Sequence, residues 1–190
     1  PADAALGLDW IASGFDDSAW REGTFGVGFE RSPTSARSFT PMIGTDVEET
    51  MYRVNTSVYI RSTFSVADSS AIDSMLLGMQ YDDGFVLFLN GERILDANAP
   101  PVASLGWDSD ASSSNPDTRA IEFEEFDLSE HISLLRDGVN VLAIQGLNVS
   151  MSSNDFLVNP VLELIDLGPV NAELRQYFIE PTPGGPNREG

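Results

Sequence analysis

Two adjacent carboxylates, Asp82 and Asp83, stand immediately before Gly84 and an apolar run that ends in Asn90-Gly91. Side by side at a strand end, such groups repel one another unless donors or a cation sit between them. Ca²⁺ is the natural candidate, because it accepts several oxygen ligands from carboxylates, amides and backbone carbonyls. Asp82, Asp83, Asn148 and Asp155 all fall at expected strand ends and form the candidate metal set, with carbonyls of the 149–154 loop completing the shell. The alternative is that Asp82 and Asp83 cap the hairpin entry while Asp155 satisfies donors in its own loop. A second group is Trp107, Asp108 and Asp110, in a polar loop. An aromatic face with carboxylates beside it suits a sugar, which needs a stacking surface and hydroxyl acceptors. Asp108-Ser109-Asp110 opens like a calcium loop, but an EF-hand requires Gly at position six and Glu at position twelve. Ser113 and Arg119 stand there instead, so a flexible polar loop is the plainer reading.

Other chemistries lack their parts. His131 is the single histidine and lies among Ile132, Leu134 and Leu135, which fits packing or surface exposure. With no Cys and no Gly-x-Ser-x-Gly elbow, neither a thiol nor a serine triad can be assembled. A His-rich zinc site is out of reach with one His, and a phosphate-cradling loop needs a Lys that the chain does not have. A glycosidase needs only two carboxylates, but nothing singles out one pair as acid and base. The expected protein is therefore not an enzyme.

Thirty acidic residues against ten basic ones, all Arg, give a net charge of −20 over 190 residues. That balance opposes nucleic acid, whose phosphates require clustered Lys or Arg. It fits a solvated acidic surface, some of whose carboxylates could bind calcium. No apolar run approaches the roughly 20 residues of a membrane span, so no insertion is expected. No signal peptide is visible, and the chain opens on Pro1 rather than Met, as a piece of a longer protein would. Asn55-Thr56-Ser57 and Asn148-Val149-Ser150 are glycosylation sequons, given little weight in an acidic, Cys-free chain of bacterial character.

The elements that must position these residues are strands. Asn90-Gly91 between apolar runs is a hairpin signal, because both central residues of such a turn need positive φ. Val58, Ile60, Ser62, Phe64 and Val66 alternate with Tyr59, Arg61 and Thr63, the period of a half-buried strand. Further strands are expected over Ser74–Tyr81, Ile121–Leu128, Asn140–Asn148, and 156–165 with an interruption at Pro160. Residues 1–30 suggest short strands and turns, where Asp16 and Asp17 cap a turn or bind a cation. Residues 31–56 suggest a long surface loop, and Ser129 the N-cap of one short helix through Leu135. Trp10 and Trp20 are expected in core or rim packing. The fold class is all-β, a two-sheet antiparallel β-sandwich with one short helix, over residues 1–167. Residues 168–190 form an extension and the Pro181–Asn187 linker.

Several motifs in fixed order carry a resemblance. Phe15-Asp16-Asp17-Ser18-Ala19-Trp20 with Gly26-x-Gly28, Tyr81-Asp82-Asp83-Gly84 with Leu89-Asn90-Gly91, Asn140–Gln145, and Ser152–Phe156 resemble galactose-binding-like jelly-roll modules of large secreted bacterial proteins. The resemblance spans roughly residues 8 to 166. It implies a jelly-roll sandwich, often carbohydrate-binding, with a structural Ca²⁺ in many members and no sugar ligand in others. The Asp-Asp-Gly hairpin is also similar to that of calcium-dependent lectins in which an Asp pair binds calcium that in turn binds sugar hydroxyls. Together these lead to an extracellular or cell-surface module that binds a polysaccharide and neighbours other domains of its own chain. The alternative is a structural or protein-interaction spacer with no soluble ligand.

Overall fold

The computed structural model describes residues 3–32, 37–168 and, as backbone, 175–178. Among the described residues, ten strands and two one-turn helices follow in chain order: β1 (Val27–Glu30), β2 (Thr45–Asp46), α1 (Glu48–Met51), β3 (Ser57–Val66), β4 (Ser74–Asp82), β5 (Gly84–Leu89), β6 (Glu92–Ala97), α2 (Asp117–Ala120), β7 (Glu124–Asp127), β8 (Gly138–Leu147), β9 (Asp155–Asp166) and β10 (Arg175–Phe178). One sheet has the order β2-β1-β9-β4-β7, with β10 also on β9, and the other the order β3-β8-β5-β6. Every pairing is antiparallel except the short parallel contact of β1 with β2. The expected all-β sandwich is what the chain forms.

The alternation read in β3 sorts its side chains as expected. Val58, Phe64 and Val66 enter the core between the sheets, with Ile60 packed against it, while Tyr59 lies on the opposite face. That outer face is itself covered. Trp10, fully buried, stacks on Tyr59 with ring centroids 4.1 Å apart and meets Phe88 edge-on at 5.7 Å. β5 is therefore buried on both sides, which explains its unbroken apolar run from Phe85 to Leu89. Arg61 fastens the covering segment: its guanidinium donates to the carbonyls of Trp10 and Ala12 and pairs with Asp17 at 2.7 Å. Asp16 accepts from the Ser18 N–H at 3.1 Å, the turn cap foreseen for it. Trp20 packs edge-on against Phe15.

Several expectations about elements are corrected. Where several short strands were expected up to residue 30, the described residues 3–30 hold one strand, β1, and two short 3-10 turns. The stretch 31–56 is not all loop, since it contributes β2 and α1. The segment begun by Ser129 is a 3-10 turn, Ser129–Leu134, and its N-cap is Leu128; Asp127 accepts the Ser129 N–H instead. Ile121 and Phe123 precede β7 rather than joining it, because α2 turns the chain just before them. Pro160 does not interrupt the last strand. On one flank of β9, β1 pairs with residues 155–158 and β10 with residues 163–166, so Pro160 falls where that flank carries no ladder and its missing N–H is not needed. The linker Pro181–Asn187 lies outside the described residues.

Candidate functional site

The end of β4, the starts of β3, β5 and β9 and the end of β8 converge on one rim of the sandwich. Asp82 and Asp83 sit there, joined by a cis peptide bond, 4% and 3% exposed. Sequence proximity at a strand crossing puts them there, since Asp82 closes β4 and Gly84 opens β5 in the other sheet.

Asp83 is a clamp. Its Oδ1 accepts from the Asn115 N–H at 3.0 Å and its Oδ2 from the Val149 N–H at 2.8 Å. Its own N–H donates to the Leu147 carbonyl, and its carbonyl accepts from Asn98 Nδ2. Asn115 reaches back through Nδ2 to the Tyr81 carbonyl at 2.8 Å. The long polar loops at 98–116 and 148–154 are thus both anchored on one aspartate. Asp82 is different. Burial, then the charges of Asp83 and Asp155, push its carboxyl up to about 9. Burial also raises Asp155, against the hydrogen bond it accepts from Ser153.

Of the four expected metal residues, Asp82, Asp83 and Asp155 act on one another electrostatically. Asn148 donates through Nδ2 to the Asp155 carbonyl at 2.8 Å, so it braces the loop. Among the described residues, no three His, Cys, Asp or Glu side chains converge closely enough to hold a metal by themselves. An ion here would rest on the Asp82 and Asp83 carboxylates, with carbonyl and water oxygens supplying the rest, a mixture calcium accepts. The residues fit it in one respect: Asp82 is buried, and no cationic side chain is among the groups acting on it.

Trp107, Asp108 and Asp110 lie on the same rim. The carbonyl of Trp107 accepts from Asn55 Nδ2 at 3.3 Å and from the Ser57 hydroxyl, and that of Asp108 from the Thr56 hydroxyl at 2.9 Å. The Thr56 carbonyl in turn accepts the Asn148 N–H, which links this loop to the aspartate clamp. Trp107 is left 39% exposed, and Asp108 and Asp110 are exposed beside it in the loop. Both sequon asparagines, Asn55 and Asn148, are buried with their amides hydrogen-bonded, which leaves no room for a glycan on either.

Sequence reasoning missed Asn98 and Asn115, which tie the loop to Asp83; a lone Asn in a polar loop carries no signal of its partner. It also missed Arg31, Tyr52 and Arg53. The backbones of Arg31 and Arg53 clasp the 149–154 loop, with Arg31 N–H to the Asn154 carbonyl and Arg53 N–H to the Met151 carbonyl, and both guanidinium groups lie against the Tyr52 ring.

Fold and rim together define an all-β sandwich domain with a clamped polar loop end. No family model and no curated protein matches the chain. Among solved structures it is similar to the alpha-L-rhamnosidase of Streptomyces avermitilis, at 16% identity and TM-score 0.40, over 65% of this chain and 10% of that one. It is also similar to the alpha-L-rhamnosidase of Dictyoglumus thermophilum, at 16% identity and TM-score 0.41, over 65% and 12%. A glycosyl hydrolase family 2 member from Bacteroides cellulosilyticus gives 14% identity and TM-score 0.40, over 84% and 19%. The chain spans between a tenth and a fifth of the length of these proteins, and at such scores the likeness carries no activity across.

Proposed function

We propose that this domain is a non-catalytic polysaccharide-binding module, with Trp107, Asp108 and Asp110 as its ligand platform and Ca²⁺ at Asp82 and Asp83 as its stabiliser. The observation that supports this reading most is the exposure of Trp107, a large aromatic residue on a loop whose carbonyls are pinned by Asn55, Thr56 and Ser57. A ring held by a pinned backbone loses little freedom when a sugar stacks on it, so its apolar face is available at low entropic cost. Asp108 and Asp110 beside it are acceptors for hydroxyls. The buried carboxylates beneath the rim are where an ion would lock the loops that carry the platform. The module acts outside the cell, alongside other domains of its chain.

Affinity electrophoresis through gels containing soluble polysaccharides tests this, in calcium and in chelator. Retardation by at least one polysaccharide, lost in Trp107→Ala while the fold is kept, is the expected result. No retardation by any polysaccharide in either condition overturns the reading and leaves the spacer role.

A further inference from the structure

The edges of the two sheets are not equally protected. An edge strand leaves a row of N–H and C=O groups open to another strand, and shortness, charge or a bulge normally blunts it. β2, β7 and β10 have two, four and four residues, and β7 reads Glu124-Glu125-Phe126-Asp127. β6 carries Glu92, Arg93 and Asp96, and its pairing with β5 shifts register between Leu87 and Phe88. β3 has none of these devices. It runs for ten residues in unbroken register with β8 and holds one charge, Arg61. That guanidinium is already taken by Asp17 and by the carbonyls of Trp10 and Ala12.

The phase of the ladder fixes which groups of β3 are open. The Asn148 N–H donates to the Thr56 carbonyl, and the Asn90 N–H to the Val141 carbonyl. Even-numbered residues of β8 therefore bond β3, at Val58, Ile60, Ser62, Phe64 and Val66, while odd-numbered ones bond β5. The N–H and C=O groups of Arg61, Thr63 and Ser65 point away from the sheet, and among the described residues no backbone group bonds them. Thr63 and Ser65 are exposed. Beside them Phe25, Ser62, Phe64, Leu142, Pro160 and Leu162 line a small, uncharged opening into the core.

We infer that this edge docks a second copy of the chain, whose β3 pairs with it antiparallel across a two-fold axis at Thr63. Such pairing sets Thr63 against Thr63 and Arg61 against Ser65, so no like charges oppose one another. Unlike β6, β3 brings no carboxylate to its edge, which matters for two copies that each carry a charge of −20. The pair runs one sheet through both copies and closes both open edges at once. Because the paired strands run in opposite directions, the Trp107 rims at their starts lie at opposite ends of the pair. On the glycan reading above, the dimer would join two polysaccharide chains; the pairing itself does not depend on that reading.

Sedimentation velocity over a concentration series tests this. Expected is a monomer–dimer equilibrium that tightens as salt rises from about 50 to 500 mM, because screening relieves the repulsion between two acidic bodies. Thr63→Glu and Thr63→Arg should each weaken the dimer at least tenfold, since each sets a like charge against itself. Mixed together, the two variants should pair again, which a loss of folding would not allow. A monomer at every concentration and salt overturns the inference, as does a dimer that weakens with salt or ignores Thr63→Glu. No recovery in the mixture, with both variants folded, overturns the two-fold at Thr63.

Discussion

Asn90 and Asn140 lie side by side under the hairpin turn, the Nδ2 of Asn90 donating to the Oδ1 of Asn140 at 2.8 Å. Asn90 also donates to the Leu134 carbonyl and accepts from the Val141 N–H. Asn140, fully buried, accepts from the Arg136 N–H and donates to the carbonyls of Arg136 and Gly138. The turn residue chosen for its positive φ is thus also the link between the β5–β6 hairpin and the start of β8.

Replacing Asn140 should expose how much that network holds. Asn140→Ala leaves the Asn90 amide and the Arg136 N–H short of an acceptor in a buried place. A loss of about 2–3 kcal/mol is expected, read as a lower urea midpoint with an unchanged slope. A loss within a few tenths would mean that water replaces the missing amide.

The sheets approach closely where β8 passes β9. A Cβ on Gly146 would meet Phe156 Cζ at 2.6 Å and Val158 Cγ2 at 2.9 Å. Gly146→Ala therefore overpacks the core, and a destabilisation of about 1–3 kcal/mol is expected, measured by thermal or urea unfolding. Wild-type stability would show that the Phe156 ring can retreat.

Asp82 predicts a pH dependence in chelator. Folding raises its carboxyl from the ordinary 3.8 to about 9. Below 3.8 both states are protonated and nothing is lost. Between the two values the folded state keeps a proton that the unfolded chain has released, so stability falls as pH rises, by up to about 1.4 kcal/mol per pH unit. Asp82→Asn should flatten that slope and stabilise the protein at neutral pH. An unchanged profile would assign the proton elsewhere.

Calcium gives a separate expectation. Millimolar Ca²⁺ should raise the wild-type melting temperature by several degrees, and Mg²⁺ should not, because an ion that binds only the folded state stabilises it by mass action. Asp82→Asn should abolish the shift. Asp83→Ala is the poorer probe, since it strands the Asn115 and Val149 N–H groups and lowers stability with or without the ion. A calcium shift that survives Asp82→Asn would move the ion away from this pair.

The sandwich and the alternating faces of β3 were legible in the order of residues alone. Alternation with period two and an Asn-Gly turn are local geometry, legible from neighbours in the chain. It also placed Asp82 and Asp83 at a strand end. The partners across long separations came only with the folded chain. Asp83 meets Asn115 and Val149, 32 and 66 residues away, and Arg61 meets Asp17 across 44. Pro160 looked like a break until its flank of β9 proved to lie between β1 and β10. In each case the deciding contact depends on which strands lie side by side and on how the loops close over them, and a strand's own period specifies neither.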